Sequence, residues 1–208
     1  MKQLLSALAL AALATSAGAQ VTFSGGTDHN PLLNFNPNGA AAGVAPNGTK
    51  ENATINTTAG ILTATFLGFE ALDTNTFTFS LAGGTLNNKG ALNAFVSGPV
   101  SAGALNFTFA DLAAGTTVGN GGNAVNDFTT YAVLGNYAGA VFTPATLGGA
   151  YDLILGFNDG LRVDADYDDM VVGLKVVAIP EPETYALLLA GLGAVGFIAR
   201  RRQRPLQS

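Results

Sequence analysis

The sequence contains no cysteine, no tryptophan and a single histidine, and these absences exclude several kinds of site. Without cysteine, the chain can form neither a disulfide framework nor a thiolate metal centre. The lack of tryptophan, with only five tyrosines, weakens the case for sugar recognition by ring stacking. His29 would have to serve in any Ser-His-Asp triad, but no Gly-x-Ser-x-Gly motif surrounds a serine. We therefore expect a protein that is not an enzyme.

Basic residues are also scarce in most of the chain. Between positions 20 and 179 there are four lysines and arginines against twelve aspartates and glutamates. A body this acidic cannot neutralise a row of phosphates, so we expect no nucleic-acid partner. The same charge is compatible with binding cations.

The N-terminal residues have the three parts of a secretory signal. Lys2 precedes an almost wholly apolar run, and the small residues Ala17 and Ala19 then stand at the −3 and −1 positions of a cleavage site. The pattern predicts a signal peptide over residues 1–19, with cleavage before Gln20 and export by the secretion machinery.

A second apolar run lies near the other end of the sequence. Tyr185 to Ala199 is predicted to form a short transmembrane helix, a little below the usual ~17 to 25 residues. Pro180 and Pro182 prevent the helix from continuing upstream, since each lacks an N–H group and restricts the residue before it. The helix is followed by a basic tail that favours the cytoplasmic side and leaves the body outside, formed by Arg200, Arg201, Arg202 and Arg204.

Three unlike parts in this order resemble the PEP-CTERM sorting signal of Gram-negative bacteria. They are Pro180-Glu181-Pro182, an apolar segment containing ALLLAGLG, and Arg200-Arg201-Arg202; Ile179 stands where valine is usual. The resemblance assigns residues 179–204 to sorting, with the helix at 185–199. It implies that an exosortase recognises the Pro-Glu-Pro element and removes or exchanges the tail. The protein would then be anchored transiently in the inner membrane before it reaches the cell surface or the extracellular space.

The body, residues 20–178, has the pattern of short antiparallel strands. Phe77, Phe79 and Leu81 alternate with threonine and serine, which is the period of a half-buried strand. About nine such segments, separated by glycine and asparagine turns, predict an all-β extracellular domain, an antiparallel β-sandwich that is jelly-roll-like. The segment 28–56, rich in asparagine, proline and small residues, is predicted to be a long polar loop.

Five aspartates crowd into eleven residues before the last predicted strand, and their mutual repulsion favours either solvation or a bound cation. Oxygen ligands alone suit Ca²⁺. The EF-hand pattern fails, because Asp169 stands where glycine is needed and Lys175 replaces the final glutamate. The alternative is a solvated acidic turn that discourages edge pairing. The predicted metal ligands are Asp159, Asp164, Asp166, Asp168 and Asp169.

Three functions are consistent with these patterns. The first is an exported, non-enzymatic surface or extracellular-matrix protein that an exosortase sorts and that associates with exopolysaccharide or a biofilm. The second is a β-sandwich module that binds a carbohydrate or another ligand with the help of Ca²⁺. The third is an exported hydrolase, for which the sequence offers carboxylates but no catalytic motif.

Overall fold

The fold comes from a computed structural model that describes residues 20–32, 34–80, 83–122, 129–160, 166–179 and 182–202. The predicted signal peptide, residues 1–19, lies outside this part of the chain. So do Pro180 and Glu181 of the predicted sorting motif and Asp164 of the predicted metal ligands.

The described residues form fifteen β-strands, one 3₁₀ helix and one α-helix. The first eight strands are β1 (Val21–Ser24), β2 (Thr27–His29), β3 (Gly48–Glu51), β4 (Thr54–Thr57), β5 (Gly60–Gly68), β6 (Asn75–Phe79), β7 (Gly84–Asn87) and β8 (Phe95–Val100). The others are β9 (Gly103–Ala104), β10 (Phe107–Asp111), β11 (Thr116–Gly119), β12 (Thr130–Ala138), β13 (Val141–Pro144), β14 (Leu153–Asn158) and β15 (Met170–Val177). The 3₁₀ helix is Gly39–Gly43, and the α-helix, α1, is Pro182–Arg202.

The strands pair antiparallel in three sheets. The largest has eight strands in the order β2-β3-β12-β14-β15-β5-β8, with β13 also paired to β12. A four-stranded sheet has the order β11-β10-β6-β7, and a three-stranded sheet has the order β1-β4-β9. The prediction of an all-β, sandwich-like body with antiparallel strands is therefore confirmed.

The main core lies between the sheets and is built on phenylalanines. Phe77 and Phe79 on β6 face the same side as Phe107 and Phe109 on β10, and all four are at most 2% exposed. Phe109 stacks on Phe157 of β14, with ring centroids 5.0 Å apart, and so joins the four-stranded sheet to the eight-stranded sheet. The alternation that predicted a half-buried strand at β6 thus places its phenylalanines in the core.

The central strands of the large sheet are buried on both faces. Leu134 of β12, Ile154 of β14 and Val171 of β15 form a second cluster on the opposite side from the phenylalanine core. Ala41 of the 3₁₀ helix and Val44 cover this cluster. Nearly continuous apolar runs on β12, β14 and β15 are what burial on two faces requires.

The prediction of a polar loop over residues 28–56 is wrong where this segment forms regular structure. It contains β3, most of β4 and the 3₁₀ helix, and β2 overlaps its beginning. The large sheet extends through β3, which pairs with β12 on one side and β2 on the other. Small and polar residues take several of the buried positions of this segment, so it shows few apolar side chains. Ala41 packs on the large sheet, and Thr49 is buried on β3.

Candidate functional site

The first described residue, Gln20, is hydrogen-bonded to Thr58. The backbone N–H of Gln20 donates to Thr58 Oγ1 at 3.0 Å, and the carbonyl of Gln20 accepts from the N–H of Thr58 at 3.2 Å. The next residue, Val21, donates its backbone N–H to Asp152 Oδ2 at 3.2 Å and is 1% exposed. Ala17 and Ala19 lie outside the described residues, so cleavage before Gln20 stays a prediction.

We expect the exported protein to begin at Gln20. Cleavage at this bond leaves β1 intact, whereas cleavage several residues later would remove the strand that pairs with β4. N-terminal sequencing of the protein recovered after export checks this. A chain that still begins at Met1, or one that begins inside β1, would contradict the prediction.

A helix, α1, covers the predicted segment 185–199 and extends beyond it at both ends. Pro182 is its first residue, a position where the missing N–H costs nothing, and Arg200, Arg201 and Arg202 form its end. Large apolar side chains stand uncovered along it: Leu187 is 74% exposed, Leu189 67% and Phe197 66%. These side chains are available to contact something other than the body.

Among the residues that the structure describes, no helix is both long enough and apolar enough to cross a membrane.

Among the residues that the structure describes, carboxylates gather in two groups of three. In the first, ligand atoms of Glu70, Asp168 and Asp169 lie within 4.8 Å of one another. Asp168 Oδ2 accepts the backbone N–H of Asn36 at 2.5 Å, and Asp169 Oδ2 accepts that of Asp159 at 2.8 Å. Two of these carboxylates therefore hold neighbouring segments of backbone in place.

The second group consists of Asp73, Asp111 and Asp159, whose ligand atoms also lie within 4.8 Å of one another. Asp111 Oδ1 accepts the backbone N–H groups of Ala113 and Ala114 at 2.8 and 3.2 Å. Burial raises the pKa of the Asp159 carboxyl, and the charges of Asp111 and Asp73 raise this pKa further. The group thus concentrates negative charge where solvent is partly excluded.

Of the four predicted metal ligands that the structure describes, three divide between these groups. Asp159 belongs to the second, Asp168 and Asp169 to the first, and Asp166 is buried but in neither. A single site formed by all five, with Asp164, stays a prediction.

Sequence reasoning did not include Asp73 and Asp111 among the metal ligands, because they lie far from the acidic run. The signal that could have found Asp111 is its position at the end of a strand. Asp111 ends the strand β10, and Asn75 begins β6; in the antiparallel pair these two residues are direct partners. Polar residues at the start of one strand and the end of its antiparallel neighbour meet at the same edge.

His29 has a packing contact in the described part of the chain. Its ring lies edge-on to Tyr167, with centroids 6.0 Å apart. The adjacent Asp28 forms an ion pair with Lys50 and accepts a hydrogen bond from the hydroxyl of Tyr137. Hydrogen bonding to Lys50 and to Tyr137 lowers the pKa of Asp28. These contacts attach β2 to β3 and β12.

Comparison with known families gives one match. Residues 178–203 match the family model described as the PEP-CTERM protein-sorting motif. Neither the curated proteins nor the solved structures give a significant match to the chain. The sequence-based assignment of the tail is confirmed, and the motif indicates a protein that is exported and sorted to the surface with an exosortase as its processing partner.

Proposed function

We propose that this chain is a non-enzymatic surface or extracellular-matrix protein, delivered by exosortase sorting and associated with exopolysaccharide or a biofilm. The observation that carries the proposal is the PEP-CTERM protein-sorting motif at residues 178–203, which directly follows a β-sandwich-like body. In this proposal the body is the domain that acts outside the cell, and the tail is the signal that sorts it there.

The inner membrane is the proposed temporary location of α1. Its exposed leucines would contact lipid, and the arginines at its end would remain at the cytoplasmic face by extending their side chains to the interface. This orientation leaves the body on the outer side, where the sorting enzyme could act on Pro180-Glu181-Pro182.

A role without catalysis is supported by how the polar groups of the body are used. Asp168 and Asp169 accept backbone N–H groups, and Asp28 binds Lys50 and Tyr137. Such contacts hold structural elements together. A calcium-dependent ligand-binding module is the second candidate, favoured by the group of Asp73, Asp111 and Asp159.

Changing Pro180→Ala, Glu181→Gln and Pro182→Ala together should leave export intact but block processing. The signal peptide directs export and the tail directs processing, so a change in the tail should not impair export. In a host that carries the exosortase, the variant should lose its signal peptide, keep its tail and remain in the inner-membrane fraction. Fractionation with intact-mass spectrometry measures both events.

Glu183→Gln is the matched control, because it removes a neighbouring negative charge without changing the Pro-Glu-Pro element. It should be processed like the wild type. If the triple variant is also processed and distributed like the wild type, sorting by this motif is disproved.

A further inference from the structure

We propose that Asp73, Asp111 and Asp159, with the amide oxygen of Asn75, bind a Ca²⁺ ion that links the four-stranded sheet to the eight-stranded sheet. This ligand set shares only Asp159 with the five aspartates predicted from the sequence. It extends beyond sorting, because it concerns the body and does not require the tail.

Strand pairing places the ligands on two sheets. Asn75 at the start of β6 and Asp111 at the end of β10 are direct antiparallel partners, so their side chains share one face of the four-stranded sheet. Asp73 lies two residues before Asn75. Asp159 follows β14 directly and therefore comes from the large sheet. The carboxylate oxygens of the three aspartates converge within 4.8 Å.

Asn75 supplies the observation that points to a ligand. The residue is 0% exposed, and its Nδ2 donates to Asp159 Oδ2 at 3.1 Å. Its amide therefore contacts the group through Asp159, on the face of the sheet that it shares with its strand partner Asp111. No donor among the described residues reaches the buried Oδ1 of this amide. Rotating the amide would not help, since it would put Oδ1 against a carboxylate oxygen.

A buried amide oxygen without a hydrogen-bond donor is unfavourable, and so are three carboxylates within 4.8 Å of one another without a cation. The ion pairs found in the described part of the chain use other carboxylates, those of Asp28 and Asp152. A bound divalent cation would accept lone pairs from Asn75 Oδ1 and from the aspartates at once.

The chemistry of the donors selects calcium. All are oxygens, and Ca²⁺ takes about six to eight such ligands with flexible geometry, including carboxylates that bind through both oxygens. Asp111 uses only Oδ1 for its two backbone hydrogen bonds, so Oδ2 is left for an ion. Asp73 is exposed, so water can complete the coordination from its side. Mg²⁺ is less suited, because it requires a nearly ideal octahedron and holds its own waters.

The test is calorimetric titration of the full-length chain with CaCl₂ after chelator treatment. The informative variant is Asp73→Asn, which removes one ligand charge from an exposed position while keeping the side-chain shape. We expect the wild type to bind Ca²⁺ and Asp73→Asn to raise the Kd at least about tenfold, because charge count sets calcium affinity. The matched control is Glu70→Gln, the exposed carboxylate of the other group, which should leave the Kd unchanged.

Several results would overturn the proposal. One is a wild type that does not bind Ca²⁺. Another is a loss of affinity in Glu70→Gln but not in Asp73→Asn, which would place the ion in the other group. A third is a thermal midpoint that rises as much with MgCl₂, or with NaCl at the same ionic strength, as with CaCl₂, since this indicates screening alone. Circular dichroism of both variants verifies that they fold, and none of these outcomes affects the sorting experiment.

Discussion

Replacing Phe109 by alanine should lower the free energy of unfolding by about 3 to 5 kcal/mol. The side chain is 0% exposed and contacts aromatic rings on both sides of the core. Its centroid lies 4.9 Å from that of Phe77 in its own sheet and 5.0 Å from that of Phe157 in the large sheet. Truncation would leave a cavity between the two sheets. Neither sheet can shift to fill this cavity without breaking hydrogen bonds between its own strands.

Denaturant unfolding of the wild type and the variant measures this loss. Phe95→Ala is the matched control, since Phe95 on β8 is 66% exposed and should change stability by no more than about 0.5 kcal/mol. Equal losses in the two variants would mean that the phenylalanine core does not hold the sheets together.

Gly156→Ala should destabilise the body by about 3 kcal/mol or more, which is at the upper end for overpacking. A Cβ at this position of β14 would lie 2.2 Å from the backbone oxygen of Tyr167 and 2.9 Å from Leu134 Cδ2. Tyr167 cannot move aside easily, because its side chain is 1% exposed and its backbone has a φ of 59°. The added methyl must therefore displace backbone.

Gly119→Ala provides the comparison. At Gly119 on β11 the nearest atom to an added Cβ is the oxygen of Phe107, at an ordinary 3.6 Å. We expect this substitution to change stability little, with at most a gain of about 0.4 to 1 kcal/mol from the reduced freedom of the unfolded chain. Thermal unfolding of both variants separates the steric effect from the general effect of replacing glycine. A Gly156→Ala protein as stable as Gly119→Ala would contradict the close approach of Tyr167.

The strands and the tail could be predicted because their signals are local. The alternation around Phe77 identifies β6, and the sorting motif is one continuous segment. The covering role of Ala41 could not be predicted in the same way, since a small residue in a polar segment carries no periodicity and its burial depends on the sheet beneath it. The candidate site was hidden for a related reason. Asp73 and Asp159 meet only through the packing of two sheets, and no spacing along the chain encodes that contact.

The short connection between β15 and α1 limits how an enzyme can reach the tail. β15 ends at Val177 and α1 begins at Pro182, so only residues 178–181 separate them. Four residues span at most about 14 Å when fully extended. β15 pairs with β14 as far as Leu174 and with β5 as far as Val177, so it yields extra length only by detaching its end from β5. The folded body therefore restricts the space on one side of the Pro-Glu-Pro element. An exosortase that acts on this element needs a surface that does not clash with the body on that side.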